Sequence, residues 1–117
     1  MTDGPLRVVV LDNDRAVLDL LELDMRLEGH EIVASVENGE AALRACAELH
    51  PDVLVADLRL GPGINGLEVV QRAPRPGPRL VLHTNYVTRS LVDAAAAAGA
   101  VVVEKGSLSA LRRAVRG

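Results

Sequence analysis

The chain has 117 residues, a formal net charge of −3, and 25% charged against 49% hydrophobic content. That length predicts one domain, residues 1–117, able to bury its own core, and that charge gives no reason to expect nucleic-acid binding by this domain. No apolar run reaches the ~20 residues of a membrane span. With no basic leader before an apolar segment, and with Cys46 as the sole cysteine, the expected location is the cytoplasm. Phe and Trp are absent and Tyr86 is the only aromatic, so Leu, Val, Ala and Ile must fill the core. Cys46, in Ala-rich helical surroundings, reads as a small core residue.

Leu6 to Leu11 is the first strand signal, and it runs into Asp12-Asn13-Asp14. A helical pattern follows, with Val17, Leu20, Leu21, Met25 and Leu27 apolar between charges, and Gly29 stops it. Asp14 is placed to cap that helix. His30 to Val36 alternates only in part, which predicts an edge strand. Asn38-Gly39 makes a turn or cap before a helix from Glu40 to Leu49.

Val53-Leu54-Val55-Ala56 lies between Asp52 and Asp57. A short apolar run of this kind predicts a strand buried on both faces of a parallel sheet. Asp57 at its end reads either as a reactive carboxylate or as a solvated loop or cap residue. A Gly- and Pro-rich loop, residues 58–66, leads to a short helix from Leu67 to about Arg72, and the proline cluster Pro74 to Pro78 is a connector. Arg79 to Thr84 is a fourth strand. A helix from Thr88 or Arg89 to Ala98 is closed by Gly99. Ala100 to Lys105 is a fifth strand, and Ser107 caps a last helix, Leu108 to Arg116.

Strand and helix alternate throughout, so the fold class is α/β: a doubly wound, five-stranded parallel sheet with right-handed crossovers. Strands one and three must be neighbours for Asp12 and Asp57 to share the crevice at the switch point, which gives the strand order 2-1-3-4-5. All strand C-termini then point to one edge, which gathers Asp12, Asn13, Asp14, Asp57, Thr84 and Lys105. Carboxylates and an amide suit a hard divalent cation, Mg²⁺ above all. A hydroxyl and an ammonium suit a phosphoryl group. Lys105 is the only lysine among 13 Lys and Arg residues; either the site needs a compact ammonium or this is chance in an arginine-rich chain. His30, His50 and His83 show no ligand spacing, and Gly61-Pro62-Gly63 lacks the lysine of a P-loop.

Taken together, Asp12-Asn13-Asp14 after Val-Val-Val-Leu, Pro51 to Asp57, Gly66-Leu67-Glu68-Val69-Val70, Thr84 after one strand and Glu104-Lys105 after another resemble the receiver domain of bacterial response regulators, over about Leu6 to Arg116. The resemblance implies the flavodoxin-like receiver fold and an Asp57 phosphorylated by a sensor histidine kinase with Mg²⁺. Asp12, Asp57 and the backbone carbonyl of Arg59 would be near the metal, and Thr84 and Lys105 would bind the phosphoryl oxygens. Any catalysis would be self-phosphorylation and autodephosphorylation. The family's output surface, helix four with strand five and helix five, would carry Arg89, Asp93, Arg112, Arg113 and Arg116, with weak homodimerisation there. Asn13 stands where the family has a metal-ligating acid, and Val102 where it often has an aromatic residue. The loop after Asp57 is one residue longer than usual, and the segment from Gly99 to Lys105 one shorter. The alternative is a pseudo-receiver, an interaction module that keeps the fold and signals without phosphate. Arg59 and Tyr86, each two residues beyond a site residue, would overhang the site and stack.

Overall fold

The structure, a computed structural model, describes residues 4–117. The strands are β1 (Arg7–Leu11), β2 (Glu31–Val36), β3 (Val53–Ala56), β4 (Arg79–Thr84) and β5 (Ala100–Glu104). The helices are α1 (Arg15–Leu27), α2 (Gly39–Leu49), α3 (Gly66–Arg72), α4 (Arg89–Ala97) and α5 (Leu108–Arg116). All strand pairs are parallel, in the order β2-β1-β3-β4-β5. The expected topology is the one observed, with β2 at one edge.

Each helix starts on a short polar side chain that satisfies an otherwise orphaned N–H. Asp14 accepts from Ala16, Asn38 from Ala41, Asn65 from Glu68, Thr88 from Leu91 and Ser107 from Ala110. The chain leaves α1 through Gly29 at φ +88°, a conformation that costs glycine little. β3 stops at Ala56 rather than at the aspartate, so Asp57 lies just past the ladder, where side chains are free to act.

Two cores sandwich the sheet. Val8, Val10, Val53, Val55 and Val81 pack under α1 and α5 through Leu18, Leu21, Met25, Leu111 and Val115. Val9, Leu11, Leu54, Ala56 and Leu82 pack on the other face under α2, α3 and α4. Alternate residues of β1 and β3 serve opposite cores, which is why these runs are apolar throughout. The proline connector runs over the surface between α3 and β4. The Arg75 guanidinium holds it by donating to the Ala98 carbonyl at the end of α4.

The structure refines one helical pattern and corrects one expectation. In α1 the core takes Leu18, Leu21 and Met25, while Leu20 and Leu27 are 49% and 75% exposed. The core stripe is set by the rotation of α1 on β1, not by every apolar position. On α5, Arg112 and Arg116 do not face α4. Arg112 clamps Asp24 of α1, with Nε 3.2 Å from both carboxylate oxygens. Arg116 donates to the carbonyls of Gly4 and Glu28. Asp24 is buried, and an acid out of water needs a bidentate partner.

Candidate functional site

The register of the sheet assembles the site. Leu11 pairs with Ala56, so Asp12 and Asp57 leave neighbouring strands at one level. Backbone bonds hold them there. The Asp57 N–H donates to the Leu11 carbonyl at 2.8 Å, and the Asp12 N–H to Val36 at 3.1 Å. Thr84 pairs with Glu104 across β4 and β5, and the Lys105 N–H donates to the Thr84 carbonyl at 2.9 Å.

The side chains then meet. Lys105 Nζ lies 2.9 Å from Asp12 Oδ2 and 3.3 Å from Asp57 Oδ1. The other Asp12 oxygen accepts the Asp14 N–H at 2.9 Å, which fixes that carboxylate. Asp12 and Asp57 are both buried. Burial, and then the charge of Asp12, push the Asp57 carboxyl above its ordinary range, with Lys105 opposing. Burial alone would lower the Lys105 ammonium, but the hydrogen bonds and charges of the two acids outweigh it, and its pKa is raised. Two carboxylates and one ammonium leave the cluster one negative charge in excess.

Thr84 is wholly buried, and its Oγ1 accepts the Tyr86 N–H at 3.0 Å. Its own O–H therefore remains a donor. Arg59 and Tyr86 stack as the sequence predicts, with the guanidinium carbon 3.7 Å from the ring centroid. Asn13 is exposed beside Asp12. Asp14 serves as the cap of α1, with its Oδ1 2.9 Å from the Ala16 N–H. Burial pushes the Cys46 thiol up to about 11, so it is packing rather than chemistry.

The family's metal can be tested against these donors. Asp12, Asp57 and the Arg59 carbonyl supply hard oxygen donors of the kind Mg²⁺ takes. Burial raises the Asp57 pKa most, and the Asp12 charge adds to it; that second contribution is what a cation would offset. The residues fit. Among the described residues no group of three or more His, Cys, Asp and Glu converges.

Comparisons with known proteins bear on the family and the fold. A family model described as the response regulator receiver domain matches residues 8–116. The chain belongs to that family. Among curated proteins, this receiver is 38% identical over 88 residues to the DNA-binding response regulator MtrA of Mycobacterium tuberculosis, covering 74% of the chain and 38% of that protein. It is 42% identical over 64 residues to the transcriptional regulatory protein PrrA of the same organism, covering 55% of the chain and 27% of that protein. The matched stretches thus cover well under half the length of these relatives. Among solved structures, the signal receiver domain of response regulator NarL from Mycobacterium tuberculosis superposes with a TM-score of 0.83 at 26% identity, covering 97% of this chain and 98% of that one. The protein is a response-regulator receiver, a component of two-component signalling.

Two features of this receiver escaped the sequence. His83 is buried in β4 with neither ring nitrogen hydrogen-bonded among the described residues. Burial, then the Lys105 charge, lower its pKa to about 4. Its signal was a lone polar residue inside Leu80-Val81-Leu82-His83. Gly66 is pressed against the Asp57 loop: a Cβ there would lie 2.0 Å from the Asp57 carbonyl oxygen.

Proposed function

We propose that Asp57 accepts a phosphoryl group from a sensor histidine kinase, within one receiver unit over residues 1–117. The observation that supports this most is the shared ammonium: the chain's only lysine bridges Asp12 and a buried Asp57 whose carboxyl is raised. In the transfer, an Asp57 oxygen forms a P–O bond as the donor's P–N bond breaks, and the product is an acyl phosphate. Lys105 then turns from carboxylate to phosphoryl oxygen, and the free Thr84 hydroxyl donates to another. Asp12 keeps Lys105 in place, and Asp57 would hold Mg²⁺ together with Asp12 and the Arg59 carbonyl. When bound, Mg²⁺ would offset charge on the acids and phosphoryl oxygens. The only catalysis in this reading is self-phosphorylation and autodephosphorylation.

The output route is the face of α4, β5 and α5, in a cytoplasmic receiver domain that itself makes no direct contact with nucleic acid or membrane. Val92 and Val101 are 40% and 46% exposed there. Val102 carries no aromatic ring, so coupling through this face would rest on backbone and helix shifts. Treatment with a small phosphodonor and Mg²⁺ is expected to add one phosphoryl group by intact mass, and Asp57→Asn to remove it entirely. Phosphate on an Asp57→Asn protein would refute the assignment.

A second reading, the pseudo-receiver that signals without phosphate, draws on Asn13. An amide there keeps one oxygen of the usual acid and lacks its charge. Near a surface, a unit charge ~4 Å away is worth on the order of 4 kcal/mol before desolvation. Repulsion from Asp12 and Asp57 reduces the net gain an acid would bring. Asn13→Asp is therefore expected to tighten Mg²⁺ binding at least about tenfold, roughly 1.4 kcal/mol, and to lower metal-free stability. Unchanged affinity on Mg²⁺ titration would place residue 13 outside the metal's surroundings. Failure of wild type, but not Asn13→Asp, to take phosphate would favour the pseudo-receiver.

A further inference from the structure

α1 is apolar on two opposite sides, and the core uses only one. At 100° per residue, Leu18, Leu21 and Met25 face the sheet. Ala16, Leu20, Leu23 and Leu27 fall within about 60° of arc on the opposite side. All four are exposed, with Leu20, Leu23 and Leu27 at 49%, 57% and 75%. Single exposed leucines are ordinary, but a continuous row of them along one helix is not. The spacing here is four, three, four residues, the alternation of a coiled-coil seam. Such a row is the pattern by which one helix packs on another.

The charges beside the row indicate which helix. Asp19 and Arg26 flank it on the side toward β2, with side chains 69% and 58% exposed. In an antiparallel pair of α1 helices about a two-fold axis, Leu20 packs on Leu23 of a second copy and Ala16 on its Leu27. In that register Asp19 of each copy faces Arg26 of the other, twice over. Within one chain Asp19 pairs with Arg15, both more than half exposed, and Arg26 reaches the part-buried Glu22 only at 3.5 Å, so both can exchange partners. The surface is thus self-complementary in shape, apolar pattern and charge, which an isologous interface requires.

We propose that a second copy of this chain docks on α1, through an antiparallel pairing of the Ala16-Leu20-Leu23-Leu27 row. This face is separate from the α4, β5 and α5 surface. One short helix per copy makes a small interface, so the dimer is weak and exchanging.

Sedimentation of the full 117-residue chain over a wide concentration range tests it. Wild type is expected to dimerise reversibly, and Leu23→Glu to weaken dimerisation by at least tenfold with unchanged circular dichroism. Arg26→Asp is expected to weaken it by a similar factor through like-charge contacts, and Asp19→Arg combined with Arg26→Asp to restore most of it. Val92→Glu, on α4, is expected to leave it unchanged. A wild type that stays monomeric at the highest concentration would overturn the proposal, as would loss of the dimer in Val92→Glu but not in Leu23→Glu. Slower phosphorylation by a histidine kinase in Leu23→Glu, with wild type monomeric throughout, would assign the row to a partner's helix and equally overturn self-pairing. A charge-swapped double variant no better than Arg26→Asp would reject the antiparallel register.

Discussion

Gly66→Ala is expected to destabilise the protein by about 2–3 kcal/mol and to impair phosphoryl acceptance at Asp57 in the same stroke. The added carbon would lie 2.0 Å from the Asp57 carbonyl oxygen, 2.8 Å from its carbonyl carbon and 2.9 Å from the Leu58 Cα. All three are backbone atoms, so no side-chain rotation relieves the overlap. Either α3 retreats or the Asp57 loop does. If α3 retreats, the 2.8 Å bond from the Gly66 N–H to the Leu58 carbonyl is lost, along with the packing of Val69 and Val70 in the core. If the loop retreats, Asp57 leaves the level of Asp12 and Lys105. Urea denaturation reads the first cost, and the rate of phosphorylation by a small phosphodonor the second. A midpoint and a rate both equal to wild type would mean that α3 accommodates the carbon freely.

His83→Leu should act in the opposite direction and raise stability by about 1–3 kcal/mol at neutral pH. The imidazole is 5% exposed, and neither nitrogen has a partner among the described residues. It therefore carries the desolvation cost of a polar group with no compensating bond. Leucine is close in size and matches the neighbouring Val81 and Val103. The pH dependence gives an independent measure. The folded-state pKa, about 4, lies below the ordinary 6.5, so between those values the unfolded chain binds more protons. Stability contributed by neutral His83 is present above pH 6.5 and is lost as pH falls toward 4. At about 1.4 kcal/mol per pH unit the full loss is roughly 3 kcal/mol. His83→Leu removes that slope, so its advantage should be larger at pH 5 than at pH 7. Parallel stability curves for the two proteins would show that His83 finds partners in solution.

Much of this was legible in the sequence because apolar runs and their punctuation encode a parallel sheet directly. The polar residues ending β1, β3, β4 and β5 had to share an edge once the strand order was set, which gave Asp12, Asp57, Thr84 and Lys105. The Arg59–Tyr86 stack followed from equal two-residue offsets beyond adjacent strands. What stayed hidden depends on how elements rotate and approach one another. The pairing of Arg112 with Asp24 joins residues 88 apart and needs α5 turned toward α1. Leu20 and Leu27 match a helical core pattern locally, and only the seating of α1 on the sheet turns them outward. Gly66 stood out as a motif residue, but its closeness to the Asp57 backbone is a distance no spacing reveals.

The Arg59–Tyr86 stack also makes this protein its own optical reporter. With no tryptophan and a single tyrosine, all intrinsic ultraviolet emission comes from one ring. That ring is half-exposed, lies under a guanidinium, and follows the Thr84 hydroxyl by two residues. A displacement of Arg59, or a turn of Thr84 toward a new anion, changes the surroundings of the only chromophore in the chain. Titrations of metal and phosphodonor can therefore be followed without a label, and every change in signal has one address.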